Sequence, residues 1–130
     1  MNVPHVLLVD ADIVVRSALA RYLRECGFTV AEAFDNDEAR AFLTQTDVKV
    51  DVVFADVDMP LQNGFLLASW VRAHHPDVEV ILCGTASQAA RKAGELCEEG
   101  PRFAKPYHHE KLADEIRRLV AARARQKPER

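Results

Sequence analysis

Apolar and polar positions along the chain follow two alternating patterns. Val6-Leu7-Leu8-Val9, Val52-Val53-Phe54-Ala55 and Val80-Ile81-Leu82-Cys83 are short unbroken apolar runs. Runs of that length predict strands covered on both faces, at residues 5–10, 51–56 and 78–83. Residues 28–33 alternate instead, with Phe28, Val30 and Ala31 around Thr29 and Glu32, which suits an edge strand. Arg102-Phe103-Ala104 is a short fifth strand. Between the strands, apolar residues recur at helical spacing. Val15, Leu19, Tyr22, Leu23 and Cys26 mark a helix over residues 12–26, which Asp12 could cap and Gly27 ends. Ala39, Phe42 and Leu43 mark a second helix, opened by Asp35 or Asn36. Leu67, Trp70 and Val71 mark a third, which stops before Pro76. A weaker helix over about residues 87–99 turns Ala93, Leu96 and Cys97 inward, while Gly94 costs it roughly 1 kcal/mol relative to Ala. The last, about 108–124, carries Leu112, Ile116, Leu119 and Val120. Residues 58–64 are a polar loop with Pro60 and Gly64 as turn signals.

Five strand–helix units with short connections predict a parallel sheet with helices on both faces. The polar second strand suits an edge and favours the order 2-1-3-4-5. That is an α/β, flavodoxin-like (βα)5 three-layer sandwich. Strands 1 and 3 are then neighbours at the topological switch point. Asp10, Asp12 and Asp56 meet in one crevice at their carboxyl ends, and Lys105 arrives from strand 5. An acidic pocket of this kind suits a divalent cation.

Composition narrows the picture. A chain of 130 residues, 48% hydrophobic and 28% charged, fits one globular domain. The division expected is a domain over residues 1–124 and a basic tail over 125–130. A net charge of −3 gives no general attraction to nucleic acid or membrane. No apolar stretch approaches the roughly 20 residues of a bilayer span, and residues 1–5 do not read as the start of a signal peptide, so a cytoplasmic location is expected. Cys26, Cys83 and Cys97 fit neither a disulfide framework nor a zinc site, and buried thiols are expected. His74-His75 and His108-His109 are adjacent pairs that do not share a helix face, so they make poor chelates.

With Val9-Asp10-Ala11-Asp12, Asp56-Val57-Asp58-Met59-Pro60 followed by Gly64, and Lys105-Pro106-Tyr107, the chain resembles the receiver domain of two-component response regulators, chemotaxis-regulator-like, over nearly its full length. The resemblance implies a phosphoprotein of phosphorelay signal transduction. A sensor histidine kinase or phosphotransfer protein would be the phosphoryl donor, and a downstream protein the target. It implies no direct nucleic-acid or membrane contact, and homodimerisation stays open. Asp56 would be the phosphoacceptor, a nucleophile already ionised at neutral pH. Mg2+ would be held by Asp10, Asp56 and the backbone carbonyl of Asp58, and Lys105 would meet a phosphoryl oxygen. Such a protein is a phosphoacceptor with at most slow self-dephosphorylation, not an enzyme.

Three positions depart from the family pattern. Ala11 stands where a second acid usually follows strand 1, so Asp12 either caps the helix or joins the metal ligands, and weak Mg2+ binding is expected. The hydroxyl expected after strand 4 falls at Gly84 or Thr85, with Thr85 the candidate. Arg102 occupies the place of the switching aromatic, one step before Phe103. These departures keep a second function open, a phosphorylation-independent binding module on the receiver fold. A flavodoxin-like electron carrier is disfavoured, because Asp10-Ala11-Asp12-Ile13 would repel a flavin phosphate. A metal-dependent phosphohydrolase would want a further acid at strand 4.

Overall fold

The computed structural model describes residues 4–57, 63–99, 114, 116–118 and 121–122. Within them β1 (His5–Val9), β2 (Thr29–Ala33), β3 (Val52–Asp56) and β4 (Glu79–Cys83) form one parallel sheet in the order β2-β1-β3-β4. The polar strand β2 is at an edge, as its alternation requires. The helices are α1 (Ile13–Glu25), α2 (Asn36–Gln45), α3 (Gly64–His74) and α4 (Ala86–Glu99). The expected fifth strand at 102–104 lies outside the described residues, and residues 114, 116–118 and 121–122 are helical, within the expected last helix.

The periodicities cash out as two apolar layers. Strand side chains alternate across the sheet. Val6, Leu8, Val52 and Phe54 therefore pack with Val15, Leu19, Tyr22 and Leu23 of α1. Leu7, Val9, Val53 and Ala55 pack with Ala39 and Leu43 of α2 and Leu67 and Val71 of α3. Asp35 caps α2 by accepting from Glu38 N, and Asn63 caps α3 by accepting from Leu66 N. Gly27 follows the C-cap of α1 with φ 101°, a left-handed conformation that glycine adopts without steric cost.

Two features lie beyond the periodic pattern. The first is the side on which α4 packs. A right-handed crossover continuing past β4 in the direction set by β3–α3–β4 would lay the next helix beside α3. Instead Ala89, Ala90, Ala93 and Cys97 join the α1 layer, together with Ile116. On the other face Val80 and Leu82 of β4 are only partly covered. The second feature corrects the expectation of three buried thiols. Cys26 and Cys97 form a disulfide with their Cα atoms 5.7 Å apart, and Cys83 alone is a free, buried thiol. A separation of 71 residues says nothing about proximity in space; the packing of α4 on α1 is what brings the pair within bridging range.

Charge fixes α1 to the edge strand. Glu32 of β2 accepts from Arg16 Nε at 3.1 Å and Arg24 Nη2 at 3.3 Å. Arg24 Nη2 also reaches the carbonyl of Val30, and Arg16 Nη1 the carbonyl of Asp10. One carboxylate on the polar strand thus anchors both ends of the helix that follows Asp10.

Candidate functional site

Register puts the first two acids together. Val9 lies opposite Ala55, so Asp10 and Asp56 lie one step beyond a paired position, at the same end of adjacent strands. The β1–α1 connection leads outward to β2 and the β3–α3 connection leads to β4, which opens a crevice between them. Asp10, Asp12, Asp56, Gly84 and Thr85 all line one cavity of about 130 Å3 there. Its inner wall is apolar, made by Leu8, Val15, Leu19, Phe54 and Ala89.

Asp10 is 8% exposed, rare for a carboxylate. Burial pushes its pKa up to about 6, and the negative charges of Asp56 and Asp12 add to the rise. The backbone N–H of Asp12, donating to Asp10 Oδ1 at 2.8 Å, and the Arg16 guanidinium offset part of it. The crevice thus concentrates negative charge where water is scarce.

Asp12 Oδ1 accepts from Val14 N and Val15 N, which makes Asp12 the N-cap of α1. Ala11 beside it is exposed. Thr85 has a similar duty at the other side of the cavity. Its Oγ1 accepts from Gln88 N at 3.0 Å, the geometry of a helix cap, at the start of α4. Gln88 Oε1 in turn accepts from Gly84 N at 2.8 Å. The stretch from β4 into α4 is therefore held by a closed pair of side-chain-to-backbone bonds. Thr85-Ala86-Ser87-Gln88 has the Ser/Thr-x-x-Gln spacing of a capping box, the signal that marks Gln88 in the sequence, whereas the bond of Arg16 to the Asp10 carbonyl leaves no residue-type signature.

Gly64 has a steric reason. A Cβ there would stand 2.7 Å from the carbonyl oxygen of Asp56 and 3.1 Å from Val57 Cα. The start of α3 presses on the strand end that carries Asp56, and only glycine permits the approach. At Gly84 the nearest atoms to an added Cβ are Gln88 Oε1 at 3.4 Å and Val57 Cγ2 at 3.6 Å, which is ordinary contact. Cys83, opposite Asp56 in register, is 3% exposed, and burial pushes its thiol up to about 12, so it is a poor nucleophile.

No three His, Cys, Asp or Glu side chains among the described residues stand close enough to hold a metal ion by themselves. The donor chemistry still fits Mg2+, which is usually bound by one or two carboxylates with waters and phosphate completing its shell. Asp10 and Asp56 are such a pair. Asp58 and Lys105, like Arg102, Phe103 and Pro106, lie outside the described residues.

Acids at the ends of neighbouring parallel strands, with a hydroxyl-capped helix facing them, make a pattern with known relatives. The sequence profile of the response regulator receiver domain matches residues 6–117. The chain belongs to the response regulator receiver family. The transcriptional regulatory protein PrrA of Mycobacterium tuberculosis is 33% identical to this receiver over 121 residues, 92% of the chain. The aerobic respiration control protein ArcA of Escherichia coli is 27% identical over 121 residues, 93% of the chain. The chain spans about half the length of these curated relatives, 51% and 50%. Among solved structures, a response regulator receiver protein from Pseudomonas putida superposes with a TM-score of 0.62 at 25% identity, covering 91% of this receiver and 98% of its own chain. The flavodoxin-like parallel sheet read from the sequence is the architecture of this family.

Proposed function

We propose that this receiver accepts a phosphoryl group on Asp56 from a phosphohistidine and signals through a partner protein. The observation that carries the reading is the paired emergence of Asp10 and Asp56 from adjacent strands into one cavity. A carboxylate oxygen of Asp56 attacks the phosphorus, the P–N bond breaks, and the imidazole nitrogen leaves with a proton. Phosphoryl transfer gains most from positioning and from neutralised charge. Gly64 lets α3 brace the Asp56 strand end, which supplies the positioning. When bound by Asp10, Asp56 and the Asp58 carbonyl, Mg2+ supplies positive charge at the phosphoryl oxygens. Lys105 adds a second cation, and the Thr85 hydroxyl hydrogen-bonds the phosphoryl group. The rest of residues 1–124 serves this site, and residues 125–130 are a tail beyond it. Self-dephosphorylation is at most slow, so the protein is not an enzyme. No helix among the described residues is long and apolar enough to cross a membrane, and the reading places the protein in the cytoplasm.

The donor is a histidine kinase or a phosphotransfer protein. Ile13, Phe34, Phe65 and Leu66, each more than half exposed, follow the carboxyl ends of β1, β2 and β3, an apolar rim at the end of the sheet where the acidic crevice opens. An apolar helix face presenting a histidine matches that rim. Ile13→Ser should slow transfer from the kinase and leave transfer from acetyl phosphate unchanged.

Incubation with Mg2+ and acetyl phosphate should add one phosphoryl mass, absent in Asp56→Asn. No mass shift in a folded protein would reject the phosphoacceptor and favour the binding module that the exposed Ala11 motivates. Ala11→Asp should tighten Mg2+ binding about tenfold, because a further carboxylate ligand adds charge where the ion binds. Titration in the absence of phosphate reads that constant.

A further inference from the structure

We propose that Cys26 and Cys97 are a reversible redox site whose oxidation holds α4 against α1. The parts of this inference that concern phosphoryl uptake and a reducing cytoplasm rest on the function proposed above; the part that concerns α4 does not. Three observations converge. The bridge joins the C-cap of α1 to the far end of α4, and Cys97 is 7% exposed against 0% for Cys26. Apart from Cys97, the fully buried residues that α4 sets in the α1 layer are small, Ala89, Ala90 and Ala93, and Leu96 packs on that layer only partly buried, so side-chain burial alone attaches the helix modestly. Large aliphatic side chains on α1, α2 and α3 build both layers without it. The covalent link therefore decides where α4 sits more than it decides whether the sheet forms.

The position of α4 matters to the acidic crevice. Its first turn carries the Gln88 bonds to Gly84 and Thr85, and Ala89 walls the cavity that Asp56 enters. Val80 and Leu82, partly covered on the opposite face of β4, give a released helix an alternative apolar surface. Cys83 does not compete for exchange, since it is buried in β4 and its thiol resists ionisation.

The exchange is balanced with a low-molecular-weight disulfide such as oxidised glutathione. The thiolate of Cys97, the more accessible of the two, attacks one sulfur and releases one glutathione thiol. The thiolate of Cys26 then attacks Cys97 Sγ and releases the second. Two cysteine thiols lose two electrons, and one glutathione disulfide becomes two thiols carrying both protons. Reduction runs the same steps backward. A bridge of this kind is uncommon in a reducing cytoplasm, where transient and sensing disulfides dominate.

The test uses the full chain equilibrated in glutathione buffers from oxidising to reducing, then alkylated in denaturant and weighed. With three cysteines and one bridge, one adduct marks the oxidised protein and three the reduced one. The transition should fall inside the range glutathione can poise. Amide exchange over residues 86–97 should speed up at least about tenfold on reduction while β1 and β3 stay protected. Cys26→Ala should exchange like the reduced protein under every buffer. Persistent oxidation throughout, or identical α4 exchange in the two states, would make the bridge a fixed staple and overturn the proposal. Uptake from acetyl phosphate with Mg2+ should differ severalfold between the states. Equal uptake would refute the coupling. Absence of uptake in both would refute the phosphoacceptor reading and leave thiol count and exchange to judge the redox site. The wild-type protein reduced in place keeps the test decisive where a cysteine variant fails to fold.

Discussion

Asp10 places a charge where burial opposes it, and the consequence can be measured as a pH dependence. Its folded pKa, about 6, lies above the 3.8 of a freely solvated aspartate. Between those values the folded protein binds more protons than the unfolded chain, so stability falls as pH rises. The contribution is fully present below pH 3.8 and is lost through about pH 6, a total of up to about 3 kcal/mol. In chelator, urea unfolding should show this decline, and Asp10→Asn should flatten it while keeping the acceptor for the Asp12 N–H. An unchanged slope in the variant would assign the pH dependence elsewhere. Asp12 poses a different question, cap or metal ligand, and one substitution separates the answers. Asn caps helices about as well as Asp. Asp12→Asn should therefore keep stability within about 0.5 kcal/mol. If Asp12 serves only as cap, Mg2+ affinity should also be unchanged; a clear loss would make it a ligand.

At the scale of elements, the first residue of α3 lies close against the end of β3. Gly64→Ala forces a Cβ to 2.7 Å from the Asp56 carbonyl, which a backbone neighbour cannot yield cheaply. A loss of about 1–3 kcal/mol is expected, together with slower phosphoryl uptake at the displaced Asp56. Gly84→Ala meets only ordinary contacts and should change stability by less than about 1 kcal/mol. Denaturant midpoints of the two variants, side by side, test the contrast. The elements themselves were legible because each strand and helix declares its buried face through local spacing: Leu19 and Leu23 on α1, Leu67 and Val71 on α3, the apolar runs of β1 and β3. Asp10 and Asp56 were legible because an acid ending an apolar run is conspicuous. The duties of Asp12 and Thr85 were only half legible. A residue that can cap a helix and a residue that can bind a ligand are the same residue types, and only the bonds to Val14, Val15 and Gln88 reveal the caps. The side on which α4 packs was not legible at all. Its apolar face, three alanines with Leu96 and Cys97, carries no preference for one surface of the sheet, and the two cysteines that favour α1 are 71 residues apart.

The whole molecule combines a well-packed sheet with one lightly packed helix held by a covalent link, and that imbalance predicts how it unfolds. Cross-linking residues 71 apart removes unfolded-state entropy worth about 4 kcal/mol at room temperature in the chain-entropy account. Three buried alanine methyls supply about 0.8 kcal/mol each. With the partly buried Leu96 adding about 1 kcal/mol or more, these contacts are comparable to the bridge, which is itself a large share of the roughly 5–15 kcal/mol typical of a domain. Reduction should lower the urea midpoint and steepen the denaturant slope, since the opened chain exposes more surface when unfolded. If α4 then loosens before the sheet, the helical signal at 222 nm should begin to fall at lower urea than the fluorescence of Trp70, which sits on α3 in the opposite layer. Cys26→Ala/Cys97→Ala should reproduce both changes without reductant. Coincident transitions with an unchanged midpoint would mean that α4 is held by its packing alone.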